Sequence, residues 1–184
     1  MNPFEILARH HDPAGPLYAL IATHSLLVAR KAQGLGEQLV ARGHDVDLDF
    51  VTEAAMLHDI GVGLCDAPEI LCHGSEPYIR HGVLGREILV AEGLTQHALV
   101  CERHTGSGIS RREVEEEDLP LPHRDYLPVS LEEKLICVAD KFYSKLPDQL
   151  WSERTPTGIR GGLAKWGQPS VDRWDALWAE VGST

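Results

Sequence analysis

Histidine and aspartate residues that are capable of binding metal are spread over most of this sequence. They are His24, His58, Asp59, His81, His104 and Asp140. Imidazole nitrogens and carboxylate oxygens together suit divalent ions such as zinc, iron and manganese. A bound ion lowers the pKa of water to about 7, so that hydroxide is available at neutral pH. The set therefore predicts hydrolytic metal chemistry, provided that the fold brings its members together.

The adjacent pair His58 and Asp59 is the most informative local feature. Neighbouring side chains on a helix point about 100° apart, yet both can reach one ion placed beside the end of the helix. Gly61 and Gly63 follow the pair. We expect these glycines to end the helix, turn the chain and leave room for an ion.

His24 and Asp140 lie among apolar residues of predicted helices. An ionised aspartate is costly to bury unless it is paired or bound to metal, and the same argument applies weakly to a histidine. Taken singly, such a histidine is more often a hydrogen-bonded core residue, and such an aspartate a helix cap or surface residue. The joint pattern therefore carries the metal hypothesis.

The elements that must position these residues are predicted to be helices. Apolar residues recur at helical spacing in the stretches 17–28, 50–58, 83–91, 95–103, 131–142 and from 170 onward. Residues 62–77 and 109–129 contain glycine, proline or acidic runs and are predicted to be loops, the first with at most one short helical turn. No stretch shows persuasive strand alternation, so the predicted fold class is all-α.

The ordered set of His24, His58-Asp59 and Asp140 resembles the H…HD…D signature of the HD superfamily of metal-dependent phosphohydrolases, and residues 58–61 match its fuller HDIG form. This resemblance implies an HD-domain bundle of about five core helices with peripheral helices. The expected organisation is a single domain over 1–184, with a motif-bearing core at about 17–145 and a helical tail at about 146–184.

The resemblance also implies a set of ligands for two divalent ions. The first ion would be held by His24, His58, Asp59 and Asp140. The second would use His81 and His104, with Asp59 bridging the two. His73 is the second choice for the place of His81, since it lies in a predicted loop without a following helix. The ligand types do not distinguish iron, manganese, zinc, cobalt and nickel.

Three residues are candidates for direct roles in the reaction: Asp59 as the bridging ligand, and Lys141 and Arg103 as cations beside Asp140 and His104. Positive groups stabilise the equatorial oxygens of a phosphoryl group under attack. Lys134 and Arg80 come next. For each cation the alternative is an ordinary solvated surface charge.

Composition limits the partners of this chain of 184 residues. Acidic residues outnumber basic ones by 28 to 17, and the net charge of −11 argues against nucleic acid polymers and anionic membranes as partners. A small phosphorylated metabolite or nucleotide stays possible, because bound cations reverse the local charge. No long apolar run or secretion signal is evident, so a cytoplasmic location is expected. The four cysteines form no C-x-x-C pair.

The predicted activity is hydrolysis of a phosphate ester or anhydride, in a small nucleotide or a dinucleoside polyphosphate. Cleavage of cyclic dinucleotides is disfavoured, because Ile109 and Ser110 stand where the corresponding HD proteins carry a Tyr-Pro pair. The alternatives are a di-iron oxygenase of the HD-like class and a non-catalytic ligand-binding or regulatory domain.

Two features leave further alternatives open. Residues 109–128 follow a proposed ligand and either border the pocket or form a solvated excursion. The last third of the chain holds Trp151, Trp166, Trp174 and Trp178, which either pack against their own core or support a homodimer.

Overall fold

The structure, a computed structural model, describes residues 1–182. Positions 183 and 184, the last two of the predicted tail, lie outside the described residues. Within the described part the chain forms nine α-helices and a small β-sheet. The helices are α1 Pro3–His10, α2 Pro16–Ala41, α3 Leu48–Leu57, α4 His81–Ala91, α5 Thr95–Arg103, α6 Arg111–Glu116, α7 Leu131–Asp140, α8 Pro156–Leu163 and α9 Gln168–Val181.

Five helices form the core of the fold. The long helix α2 packs against α3 and α7, and α5 packs against α3, α4 and α7. Their apolar faces meet in one cluster of buried side chains, which includes Val28, Leu57, Val100 and Ile136. This arrangement confirms the predicted all-α bundle with about five core helices.

Side chains near the start of two core helices fix where they begin. The Asp47 carboxylate accepts a hydrogen bond of 2.9 Å from the Phe50 amide at the start of α3. The Ser130 hydroxyl accepts one of 3.2 Å from the Glu133 amide at the start of α7. Because such caps satisfy otherwise unpaired amides, they set the register at which each helix delivers its later residues to the site.

Glycines allow the ends of the core helices to meet closely. A Cβ atom on Gly61 would overlap the carbonyl oxygen of His81 and the amide nitrogen of Gly85. The backbone φ of Gly61 is −82°, so close approach rather than a left-handed turn requires glycine here. The turn after His58 and Asp59 therefore lies directly against the start of α4.

The segment 62–77 differs from the predicted loop. It contains 3-10 turns and three short strands, β1 Cys65–Ala67, β2 Cys72–His73 and β3 Glu76–Pro77. Strand β1 pairs antiparallel with β2 and parallel with β3. Strands of two or three residues are too short for an alternating pattern to be visible in the sequence.

The prediction of a loop over 109–129 is wrong for the stretch 111–116, which forms α6. Ser110 and Glu113 form a reciprocal capping box, in which the Glu113 carboxylate accepts from the Ser110 amide at 2.8 Å. The spacing of serine and glutamate is a known signature of a helix start, and it was outweighed by the prolines that follow. The segment also contributes Val114, Leu121 and Tyr126 to a second, smaller apolar cluster.

The C-terminal helices cover one side of the bundle. Trp174 is buried and stacks on Trp178, with 5.8 Å between ring centroids, and both face Phe142. Trp151 and Trp166 remain 74% and 67% exposed. Two of the four tryptophans therefore serve the chain's own core. Within residues 1–182, no helix combines the length and the apolar character that crossing a membrane requires.

Candidate metal centre

The six predicted ligands converge into two groups that share one residue. One group is His24, His58, Asp59 and Asp140, and the other is Asp59, His81 and His104. Within each group the potential ligand atoms lie within 4.8 Å of one another. All six residues are buried. His73, the second choice, is exposed on β2 and belongs to neither group.

Each group draws its members from the ends or interiors of different core helices. His58 caps the C-terminus of α3, with Asp59 directly after it, and His104 caps the C-terminus of α5. His81 is the first residue of α4, and Asp140 is the last of α7. Because these helix ends meet in the core, residues far apart in sequence become neighbours.

The two carboxylate oxygens of Asp59 face the two groups separately. Oδ2 lies 3.1 Å from Nε2 of His58 and 3.4 Å from Nε2 of His24. Oδ1 lies 3.4 Å from Nε2 of His104 and 3.7 Å from Nε2 of His81. A carboxylate in this orientation is suited to bridging two cations.

Three of the histidines are oriented in the same way. Nδ1 of His58, His81 and His104 lies within 2.6 to 2.7 Å of the carbonyl oxygen three residues earlier in the chain. A carbonyl can only accept, so each Nδ1 carries a hydrogen, and in the neutral ring each Nε2 presents a lone pair to the cluster. Hydrogen bonds of this kind fix the tautomer and the ring direction of metal-binding histidines.

The geometry of the second group fits a bound cation. Nε2 of His81 lies 3.0 Å from Nε2 of His104, and both atoms carry lone pairs, which repel each other at this distance. Burial, followed by the neighbouring His104, lowers the pKa of His81 to about 3. Burial also lowers the pKa of His104, despite the opposing effect of Asp59. A proton is therefore not retained between the rings at neutral pH, and a metal ion fits the pair.

The first group also has buried polar atoms that a bound cation would satisfy. Oδ1 of the Asp59 carboxylate and Nε2 of His58 have no hydrogen-bond partner of ordinary geometry among the described residues, whereas Oδ2 of Asp59 lies 2.8 Å from the ammonium of Lys145. Buried polar atoms are rarely left in this state. Although burial by itself lowers the pKa of His58, Asp59 and Asp140 raise it to about 9. Metal binding at this group would therefore displace a proton from His58.

Lys145, which the sequence analysis missed, lies at this centre. Its Nζ is 2.8 Å from Oδ2 of Asp59 and 3.8 Å from Oδ1 of Asp140. Burial opposes the charged ammonium, but Asp59 and then Tyr78 and Asp140 raise its pKa well above the ordinary value. The signal that the sequence offered was a lysine five residues after the proposed ligand Asp140.

The two predicted cations occupy different places. Nζ of Lys141 lies 2.5 Å from Oδ2 of Asp140, beside the first group. Arg103 instead donates hydrogen bonds of 3.0 Å to both carboxylate oxygens of Glu133. The second-choice cations are paired elsewhere, Lys134 with Glu180 and Arg80 with Glu76.

A cavity of about 440 Å³ opens beside the first group. Its wall includes three basic side chains, those of Lys141, Lys145 and Arg154, against two acidic ones, those of Glu69 and Asp140, together with Tyr78. This concentration of positive charge contrasts with the net charge of −11 of the whole chain. The cavity is therefore suited to an anionic group placed next to the candidate metal ligands.

Comparison with known proteins places this architecture among known families. A family model described as the HD domain matches residues 21–144, which is more than half of the chain. An uncharacterized protein of Methanocaldococcus jannaschii is 40% identical over 121 residues, which cover 65% of this chain and 64% of that protein. The chain thus spans less than two thirds of this relative.

Shorter matches occur in two larger enzymes. The tRNA (cytidine(56)-2'-O)-methyltransferase of Thermoplasma volcanium is 31% identical over 106 residues, which cover 57% of this chain and 28% of that enzyme. The enzyme of the same name from Picrophilus torridus is 34% identical over 99 residues, covering 53% of this chain and 25% of that enzyme. The shared part is therefore about a quarter of each methyltransferase.

A solved structure shares the fold. The HD domain of the L. monocytogenes phosphodiesterase PgpH, crystallised in complex with cyclic-di-AMP, aligns with a TM-score of 0.56 and 17% sequence identity. The alignment covers 100% of this chain and 89% of that chain. At this identity the likeness establishes the fold and leaves the chemistry to the residues of the site.

Proposed function

The chain belongs to the HD-domain family, and we propose that it is a metal-dependent phosphohydrolase that acts on a small nucleotide or a dinucleoside polyphosphate. One observation carries the proposal: the buried Asp59 carboxylate stands between two groups of histidine and aspartate side chains, with one oxygen facing each. Family membership and this cluster together support hydrolytic metal chemistry.

Each group would hold one divalent ion. His24, His58, Asp59 and Asp140 form the first set, and His81 and His104 complete the second set with Asp59. When bound, the ions supply a Lewis acid and a source of hydroxide at neutral pH. The mixture of imidazole and carboxylate suits iron, manganese, zinc, cobalt and nickel alike.

The basic cavity would receive the phosphate group. Lys145 and Lys141 already contact the carboxylates of Asp59 and Asp140, so a phosphate that meets these ammonium groups lies next to the metal ligands. Positive charge that is fixed around the equatorial oxygens stabilises the charge that develops during phosphoryl transfer. The catalytic roles proposed for Asp59 and Lys141 follow from this placement, and Lys145 joins them.

Arg103 is the weaker of the two cations named from the sequence. Its guanidinium is engaged by Glu133, a buried carboxylate that also accepts a hydrogen bond of 2.8 Å from the Val129 amide. We therefore assign Arg103 a positioning role, in which it ties the end of α5 to the start of α7.

The proposed substrates are small nucleotides rather than polymers. The structural neighbour is a phosphodiesterase in complex with cyclic-di-AMP, which supports a nucleotide ligand for this fold. The tRNA methyltransferases act on a polymer, but the net charge of −11 disfavours the phosphate contacts that RNA binding needs. Ile109 and Ser110 replace the Tyr-Pro pair, and Ser110 caps α6. Cyclic dinucleotides therefore remain disfavoured.

A substrate panel tests the proposal. The purified protein would be stripped with a chelator, reloaded with manganese, iron or cobalt, and assayed for release of phosphate or nucleotide. The panel contains nucleoside monophosphates, diadenosine tetraphosphate and cyclic di-GMP. We expect turnover of a mononucleotide or of diadenosine tetraphosphate. Cyclic di-GMP as the best substrate would overturn the proposed substrate class. If no compound in the panel is turned over while metal is bound, an oxygenase or a non-catalytic binding role would be favoured.

A further inference from the structure

A second cavity, of about 400 Å³, lies beside the second group of candidate ligands. Its wall is mainly apolar and aromatic, with Ile79, Ile109, Leu119 and Trp166 contributing side chains. A volume of this size lies within the range of small-molecule sites, which are typically mostly apolar. The cavity is thus a candidate for binding the organic part of a substrate.

Four of the polar side chains at this cavity are paired with one another, whereas Thr105 and Glu117 also belong to its wall. Arg173 forms an ion pair of 2.8 Å with Glu113, and the hydroxyls of Ser107 and Ser170 lie 3.0 Å apart. Glu113 also accepts hydrogen bonds from the amide and hydroxyl of Ser110. These four side chains are engaged with one another, and the surface that the wall offers to a ligand is chiefly apolar and aromatic.

Tyr78 connects this cavity to the proposed phosphate site. Its side chain lines both cavities, and its ring stacks on His81 with 4.6 Å between centroids and 21° between planes. Thr105 and Gly106, directly after His104, also line the apolar cavity. The two cavities therefore meet at Tyr78, beside the candidate ligand His81.

We infer that the apolar cavity binds the nucleobase of the substrate, with Trp166 providing an aromatic face for it. The inference rests on the proposed function only in taking the substrate to be a nucleotide. A flat aromatic base matches this predominantly apolar and aromatic wall. Stacking accepts every base, since every base has a π-face. The enzyme should consequently discriminate weakly among bases but strongly between nucleotides and phosphates that lack a base.

Nucleoside binding tests this inference separately from catalysis. Adenosine and inosine carry no phosphate and differ at the edge of the base. In two-dimensional proton–nitrogen NMR spectra of the full chain, either nucleoside should shift the indole signal that is lost in Trp166→Phe. The indole signal that is lost in Trp151→Phe should stay in place, because Trp151 is similarly exposed but lines neither cavity. Adenosine and inosine should bind with similar affinity.

Kinetics supply the second arm of the test. We expect Trp166→Ala to lower kcat/KM for adenosine 5′-monophosphate by about 10-fold, the scale of one lost stacking contact. The kcat/KM for ribose 5-phosphate should not change in Trp166→Ala. Trp151→Ala should change kcat/KM for neither substrate. Trp166 is 67% exposed, so its replacement is not expected to unfold the chain.

The outcomes separate the two claims. Nucleoside binding at Trp166 without any phosphate release would overturn the proposed hydrolase and keep the base site. Hydrolysis of nucleotides with no shift of the Trp166 indole, or an equal loss of both substrates in Trp166→Ala, would overturn the base site and keep the hydrolase. If nucleosides do not shift the Trp166 indole signal and no nucleotide is hydrolysed, both the base site and the hydrolase proposal would be overturned.

Discussion

The ammonium of Lys145 lies 2.8 Å from Oδ2 of Asp59, the oxygen that faces His24 and His58. This contact places a partly buried positive charge where the proposed metal ligands meet the basic cavity. A lysine in such a position competes electrostatically with a metal ion for the same carboxylate and attracts an incoming phosphate. Its two effects can be separated by experiment.

Replacing Lys145 by methionine should have opposite effects on metal binding and catalysis. We expect kcat to fall about 100-fold, as for the loss of a preorganised charge that stabilises the transition state. Metal affinity should rise, because the competing ammonium is gone. Titration with manganese and steady-state kinetics measure the two quantities. Lys145→Arg should recover part of kcat, whereas weaker metal binding in Lys145→Met would show that the lysine only supports the fold.

The two cations named from the sequence should differ in what they affect. Lys141→Ala should lower kcat/KM, because Lys141 lines the basic cavity beside Asp140. Arg103→Ala should instead lower the free energy of unfolding by about 1 to 3 kcal/mol, since the buried Glu133 loses its charged partner. Denaturation and kinetics on both variants make the comparison. A large loss of kcat in Arg103→Ala with unchanged stability would restore a direct catalytic role.

The buried carboxylate of Glu102 should stabilise the segment 109–128. It accepts a charged hydrogen bond from Arg124 at 2.5 Å and pairs with Arg86 at 3.2 Å. Because both arginines are partly exposed, we expect Glu102→Gln to lower the free energy of unfolding by only about 1 kcal/mol. We also expect it to speed proteolysis within this segment. Glu115→Gln, which breaks an exposed pair with Arg111, is the matched control. It should change neither the free energy of unfolding nor the rate of proteolysis. Equal behaviour of the two variants would contradict the proposed role of Glu102.

The candidate ligand set was predicted through the resemblance to the HD family, and that resemblance rests on ordered, local signals. His58-Asp59 stands at a helix end, as expected. Gly61 was expected to leave room for an ion, and in the structure it allows the start of α4 to approach, which brings His81 to Asp59. Apolar periodicity also located the core helices. These features depend on neighbours in the chain or on the helical repeat, both of which can be read without a fold.

The features that escaped prediction depend on contacts between distant segments or on very short elements. Lys145 reaches Asp59 only because the chain turns back after α7, and the cavity at Trp166 needs the C-terminal helices to close it. Strands β1 to β3 are too short to show a pattern. Helix α6 had a signal in Ser110 and Glu113, but the surrounding prolines and acidic residues favoured a loop.

Replacing Asp59 should remove both ions at once. The Asp59→Asn variant keeps the size of the side chain but loses the charge that both groups share, so we expect little bound metal and no detectable turnover. Asp125→Asn, a change in an exposed carboxylate outside both groups, is the control. Elemental analysis and the phosphate-release assay follow the two properties. Full activity in Asp59→Asn would be incompatible with the proposed centre.

The metal content of the double variant His81→Ala/His104→Ala tests the central claim most directly. The variant leaves His24, His58, Asp59 and Asp140 intact, so one ion should remain where the parent holds two. Circular dichroism would check that the helical fold is retained. Elemental analysis after loading with manganese should give half the metal per chain of the parent. Equal metal content in the folded variant and the parent would contradict the two-metal centre.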